Sequence, residues 1–170
     1  MIIALSLAAA LSQAASPAAF DVRSELQGLY SEISQATLEF VTEQDMDQFH
    51  SVVYTNDWAY IDSSGQKHSW QDMRDNEFRS LTTSPLAWMS QDIQKVSLSP
   101  DEATVLVKME TVRAVADAAG RYGHPGASHT LTETTIFRDT WVDTPNGWKL
   151  KSRQQVRPPK TEVDKREQYT

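Results

Sequence analysis

The stretch His129–Arg157, HTLTETTIFRDTWVDTPNGWKLKSRQQVR, constrains the fold of this chain more than any other. Two alternating runs flank Asp143-Thr144-Pro145-Asn146-Gly147. In the first, His129, Leu131, Glu133, Thr135, Phe137, Asp139 and Trp141 share a face. In the second, Trp148, Leu150, Ser152, Gln154 and Val156 do. Period-two alternation across an Asn-Gly turn is a strong hairpin signal. On this phasing Lys149, Lys151, Arg153 and Arg157 fall together on the opposite, exposed face, and Arg153 reads as solvated.

The remaining chain reads as cover for one side of that ribbon. Val22, Leu26, Leu29, Ile33, Phe40 and Val41 recur at helical intervals between Phe20 and Gln44, as in a helix facing a core. A short second helix follows over residues 45–52, with Met46, Phe49 and Val53 inward. Asn56–Asp62 alternates as a strand and ends in the Ser63-Ser64-Gly65-Gln66 turn. Ser69 and Asp72 have capping-box spacing for a third helix, which presents Trp70, Met73, Glu77, Phe78 and Leu81 inward and stops at Pro85. Strands over residues 88–97 and 103–116 precede a loop, 117–128, with three glycines and a proline. Pro158-Pro159 ends the last strand, and the charged tail reads as weakly helical or without regular structure. Helices first, then an antiparallel meander, is an α+β layer architecture.

Composition excludes several functions. The 170 residues carry a formal net charge of -7, which opposes binding to nucleic acid. No cysteine is present, so disulfides, thiolate metal sites and cysteine nucleophiles are excluded. The four histidines show no metal-ligand spacing, and no cofactor-binding fingerprint occurs; neither a metal nor a cofactor is expected. Ile2–Leu11 has the length and apolar character of a signal-peptide core, is too short to span a bilayer, and is followed by Ser12-Gln13-Ala14. Residues 1–19 are therefore expected to be a leader, 20–157 one domain and 158–170 a flexible tail, with the protein secreted or periplasmic.

Three segments, taken together, resemble the NTF2-like superfamily, in particular its SnoaL-like and DUF4440-type members. They are helix one running into Tyr54-Thr55-Asn56-Asp57-Trp58-Ala59-Tyr60-Ile61-Asp62; the Gly65 turn with the Trp70 helix; and Phe137-Arg138-Asp139-Thr140-Trp141 joined to Gly147-Trp148-Lys149-Leu150. The resemblance implies a curved antiparallel sheet wrapped round helices, a cone with a pocket at its open end, and homodimers through the outer face of the sheet. It spans isomerases, dehydratases, cyclases, epoxide hydrolases and non-enzymatic binding modules, so the fold alone assigns no function.

Asp62 ends the first strand, at a position that resembles that of the general-base aspartate of ketosteroid isomerase-like relatives. Burial beside Trp58, Tyr60 and Trp70 would raise its pKa towards the useful range; the alternative role is capping of the Ser63-Ser64-Gly65 turn. The tyrosine those isomerases place in helix one has no clear counterpart, the nearest inward positions being Leu38 and Val41, with Tyr30 two turns earlier. His129, on a face with Glu133 and Asp139, is a second candidate base. Arg113 lies on an otherwise apolar face and calls for a partner: Glu133, Asp62 or a bound anion. Trp58, Tyr60, Trp70, Met73, Arg113 and Glu133 are the candidate ligand contacts. Three functions follow: an exported domain holding a small apolar or amphipathic molecule, a cofactor-free isomerase or lyase using Asp62 or His129, or a dimerising module without a working pocket.

Overall fold

A computed structural model describes residues 17–117 and 126–164. Residues 1–16 of the expected leader, the core of the 117–128 loop and the last six residues lie outside the described residues, while residues 17–19 open the first helix. Helices α1 (Pro17–Glu39) and α2 (Glu43–Val53) come first, followed by strands β1 (Tyr54–Ile61) and β2 (Lys67–Ser69) and helix α3 (Trp70–Thr83). Strands β3 (Leu86–Leu98), β4 (Glu102–Asp117), β5 (Ala127–Thr144), β6 (Gly147–Gln155) and β7 (Lys160–Asp164) complete the order. One seven-stranded sheet runs β2-β1-β6-β5-β4-β3, with β7 on β5. All its pairings are antiparallel except β1 with β6.

Local chemistry fixes the element boundaries. Both α2 and α3 begin in full capping boxes, Thr42 with Asp45 and Ser69 with Asp72, each side chain satisfying an otherwise orphaned backbone N–H. The chain breaks between α1 and α2, which strands Val41 in solvent at 77% exposure. The expected helical stripe therefore ends one turn early; of its members Leu26 and Ile33 are buried, together with Tyr30, which that stripe did not include. The β5–β6 turn puts only Gly147 at positive φ (93°), with Asn146 at negative φ. This is not the mirror-image turn, with positive φ at both central residues, that Asn-Gly often makes.

A bulge corrects the phasing of β6. Trp141 pairs with Leu150 but Thr140 pairs with Ser152, so Lys151 is an extra residue. Leu150 points inward, Lys151 is exposed, and Arg153 is inward again at 9% exposure. The expectation of a solvated Arg153 fails because a one-residue insertion exchanges the two faces of a strand beyond it. The tail also differs from expectation. After Pro158-Pro159 the chain rejoins the same side of β5, Lys160–Asp164 pairing with Thr130–Thr134. The prolines interrupt the ladder because neither has an N–H to give, and β7 resumes it.

The core lies on the concave face of the sheet: Leu26, Tyr30 and Ile33 of α1 against Ile93, Ala103, Val105, Val107, Phe137, Trp141 and Leu150. Helix α1 also seals the outer edge of β3. Gln27 accepts from the Ile93 N–H at 3.0 Å and donates to the Gln91 carbonyl at 2.7 Å, and Arg23 donates to the Ile93 carbonyl at 2.6 Å. A side-chain amide thus takes the place of a neighbouring strand at an edge that would otherwise invite pairing with another chain. Replacing Gln27 with Ala should lower stability by about 1–2 kcal/mol and promote self-association. Urea denaturation and sedimentation velocity check the two effects; a monomer of unchanged stability would show that the edge is protected by other means.

Candidate functional site

Along β4 and β5 the inward residues pass from packed core to open space. Ala103, Val105 and Val107 are buried, but Met109, Thr111 and Arg113 further along β4 line a cavity. Trp141 and Asp139 are fully buried, whereas Phe137, Thr135 and Glu133 line the same cavity. Its volume is about 470 Å³. Helix α1 fills one half of the concave face, and α2 and α3 roof the other. No side chain of α3 is fully buried, because its inner face, with Trp70, Met73, Glu77 and Leu81, borders the cavity instead of the core. Arg74 holds α3 to α2 through Glu43 and Asp47, each at 2.9 Å.

The boundary between core and cavity is a polar network. Arg153 Nε donates to both Asp139 oxygens at 3.0 and 3.2 Å, and Nη2 donates to Asp139 Oδ2 at 2.6 Å and to Gln91 Oε1 at 2.7 Å. The Tyr30 hydroxyl donates to Asp139 Oδ2 and accepts from Trp141 Nε1, both at 2.8 Å. Gln91 in turn donates to Ser34 Oγ at 3.2 Å. The guanidinium lies 4.8 Å from the centroid of the Phe137 ring. Burial opposes the charge on Arg153, but the adjoining Asp139 carboxylate more than offsets it and raises the pKa. Burial, followed by the Asp139 charge, pushes the Tyr30 hydroxyl far above the ordinary tyrosine range.

An aromatic stack closes another wall. The His50 ring lies between Tyr54 (4.5 Å, 4°) and Trp70 (4.3 Å, 16°), with Trp58 edge-on at 5.5 Å. Desolvation depresses its pKa from 6.5 to about 4. Glu77 opens onto the cavity within the cone, and burial raises its pKa above the ordinary carboxylate value although Arg153 and Arg113 pull it down.

All six residues expected as ligand contacts, Trp58, Tyr60, Trp70, Met73, Arg113 and Glu133, line this one cavity. The two expected bases do not. The Asp62 carboxylate accepts from Ser64 N, Ser64 Oγ and Gln66 N at 2.6–2.9 Å and lies 3.3 Å from His68 Nε2. These bonds, that from Ser64 foremost, lower its pKa, the opposite of the shift that proton abstraction requires. His129 is buried towards the start of β5, opposite Val115, away from the cavity lining. Arg113 pairs with neither Glu133 nor Asp62 among the described residues; its Nη1 lies 3.4 Å from Ser80 Oγ. Sequence reasoning missed Arg153, Asp139 and Tyr30 as a unit, and His50 and Glu77 as lining. Glu77 was legible as an inward position of α3, but nothing in the sequence set it apart from a residue at a core edge.

No protein-family model matches the chain, and no curated protein matches it in sequence. Solved structures do match in three dimensions. A protein of Kribbella flavida aligns at 15% identity and TM-score 0.58, covering 84% of this chain and 95% of its own. A conserved protein of Planctomyces limnophilus aligns at 13% and 0.56, covering 84% and 99%. A nuclear transport factor 2 (NTF2-like) superfamily protein of Salmonella enterica aligns at 14% and 0.54, covering 88% and 99%. The chain has the NTF2-like α+β fold. Among the described residues no helix is long and apolar enough to cross a membrane.

Two outcomes test the site's electrostatics. Asp139→Ala leaves the Arg153 charge buried and unpaired and should cost about 3–5 kcal/mol, whereas the double change Asp139→Leu with Arg153→Met should cost much less; urea denaturation of both variants distinguishes them. His50 is neutral in the fold down to about pH 4, while the unfolded chain takes up its proton near pH 6.5. Its contribution is complete above pH 6.5 and is lost as the pH falls towards 4. A His50→Phe variant should show a shallower loss of stability across that window, measured by denaturation at a series of pH values.

Proposed function

We propose that this protein binds a small amphipathic molecule in the cavity beneath α2 and α3. The observation that carries this reading is the cavity itself, about 470 Å³, within the range of about 300–1,000 Å³ usual for small-molecule sites. Its walls suit an apolar body: Met73, Met89 and Met109 are adaptable fillers, and Trp58 and Trp70 add flat aromatic surface. Binding is favoured over general-base catalysis because the carboxylate expected to act as base is held in a turn by four hydrogen-bonding contacts. The same proposal takes the protein to be exported, secreted or periplasmic, and to form a homodimer through the outer face of the sheet, where Trp88 is 44% exposed.

Native mass spectrometry of protein purified from its own host should show a retained small molecule and the mass of a dimer, and N-terminal sequencing should find the leader removed. Met109→Trp, which fills the cavity, should abolish ligand retention while leaving Tm within a few degrees. A chain that retains nothing, and binds no apolar probe saturably, would overturn the binding reading.

A further inference from the structure

On the reading that the cavity binds an amphipathic molecule, we infer that the polar end of that molecule is an uncharged oxygen acceptor of carbonyl type, received by Arg153 and its neighbours on the sheet. Arg153 Nε and Nη2 are committed to Asp139 and Gln91. Nη1 takes no part in these bonds and makes no hydrogen bond among the described residues, although the side chain, 11% exposed, lines the cavity. The guanidinium is therefore a rigid fork with two N–H groups to spare. Thr111 and Thr135, 5% and 3% exposed, line the same space, and neither hydroxyl has a protein partner among the described residues. Gln155 also lines it, and its Oε1 accepts from the Tyr60 hydroxyl at 2.7 Å, which leaves the amide NH₂ to donate.

The pairings Thr111↔Glu133, Met109↔Thr135, Phe137↔Gln155 and Asp139↔Arg153 set these groups on four successive inward rows of β4, β5 and β6, with Thr111 furthest from Arg153. They form a patch rich in donors on a concave face whose other lining is largely apolar, Glu133 apart. A ligand oxygen beside Arg153 takes one of its free N–H groups; a hydrocarbon leaves those groups unpaired, at the cost of desolvating them.

Charge selects among oxygen acceptors. Asp139 already offsets much of the Arg153 charge, and the carboxyl groups of Glu77 and Glu133 line the cavity, opposed by Arg113 and by what Arg153 has left. A carboxylate ligand would bring one more negative charge into that enclosure, where repulsion is weakly screened. A neutral carbonyl takes the charge-assisted hydrogen bond from Arg153 without that repulsion.

Three probes with one ring system, methyl naphthyl ketone, ethylnaphthalene and naphthoate, separate the possibilities by isothermal titration of the full chain at neutral pH. The ketone should bind about tenfold or more tightly than the hydrocarbon, as a hydrogen bond to a charged donor implies, and more tightly than naphthoate. Thr135→Val, which removes one donor without orphaning a charge, should narrow the gap between ketone and hydrocarbon. Arg153→Lys, which keeps a cation for Asp139 but loses the fork, should narrow it further. Equal affinity for ketone and hydrocarbon, or naphthoate as the tightest binder, would overturn the carbonyl assignment while leaving the cavity a binding site. Failure of all three probes to saturate would remove the binding reading and this one with it.

Discussion

The ion pair between Asp139 and Arg153 is the interaction on which the arrangement of this molecule depends. It is buried, and a buried pair of charges repays its desolvation only when geometry and further hydrogen bonds are complete. Here they are: Tyr30 adds a donor to Asp139, Trp141 ties Tyr30 in place, and Gln91 takes one more N–H from Arg153. Four elements, α1, β3, β5 and β6, must be in register for these bonds to form together. Such a network does little for net stability compared with an apolar core, but it penalises every alternative packing in which one member is left alone.

This pair also explains why the concave face divides into two halves. On one side of it the side chains are apolar and close-packed against α1. On the other side they are larger, more polar or more flexible, and α2 and α3 span them without filling the space. Arg153 belongs to both halves: its stem and two of its nitrogens complete the core, and it is also part of the cavity floor. The aromatic stack of Tyr54, His50 and Trp70 ties both roofing helices to the start of β1.

Much of the architecture was legible in the sequence because it follows from short-range rules. Alternation located β1, β4 and β5, helical periodicity located α1, and cap spacing located the start of α3. The cavity-lining set from Trp58 to Glu133 was legible for the same reason, as inward positions of elements correctly phased. What escaped is non-local. No pattern in the sequence announces that Lys151 is an extra residue, because a bulge is defined by the strand opposite. With the phase wrong beyond it, Arg153 was placed in solvent and its pairing with Asp139, fourteen residues away, could not be seen. Asp62 shows a different limit. Its two readings, base and turn cap, begin from the same position, and only the hydrogen bonds from Ser64 and Gln66 separate them.

The bulge at Lys151 has a consequence for how this sequence can vary. It acts as a phase shifter: one residue, itself exposed, determines which face of the sheet every later residue of β6 occupies. Substitution of Lys151 changes little more than a surface contact with Glu102. Loss of that single residue from the chain would turn Arg153 and Gln155 outward and bring Ser152 and Gln154 in, stranding Asp139 without its cation. The spacing between Leu150 and Arg153 is therefore under far tighter constraint than the identity of the residue that supplies it, and length, rather than chemistry, is what this position contributes.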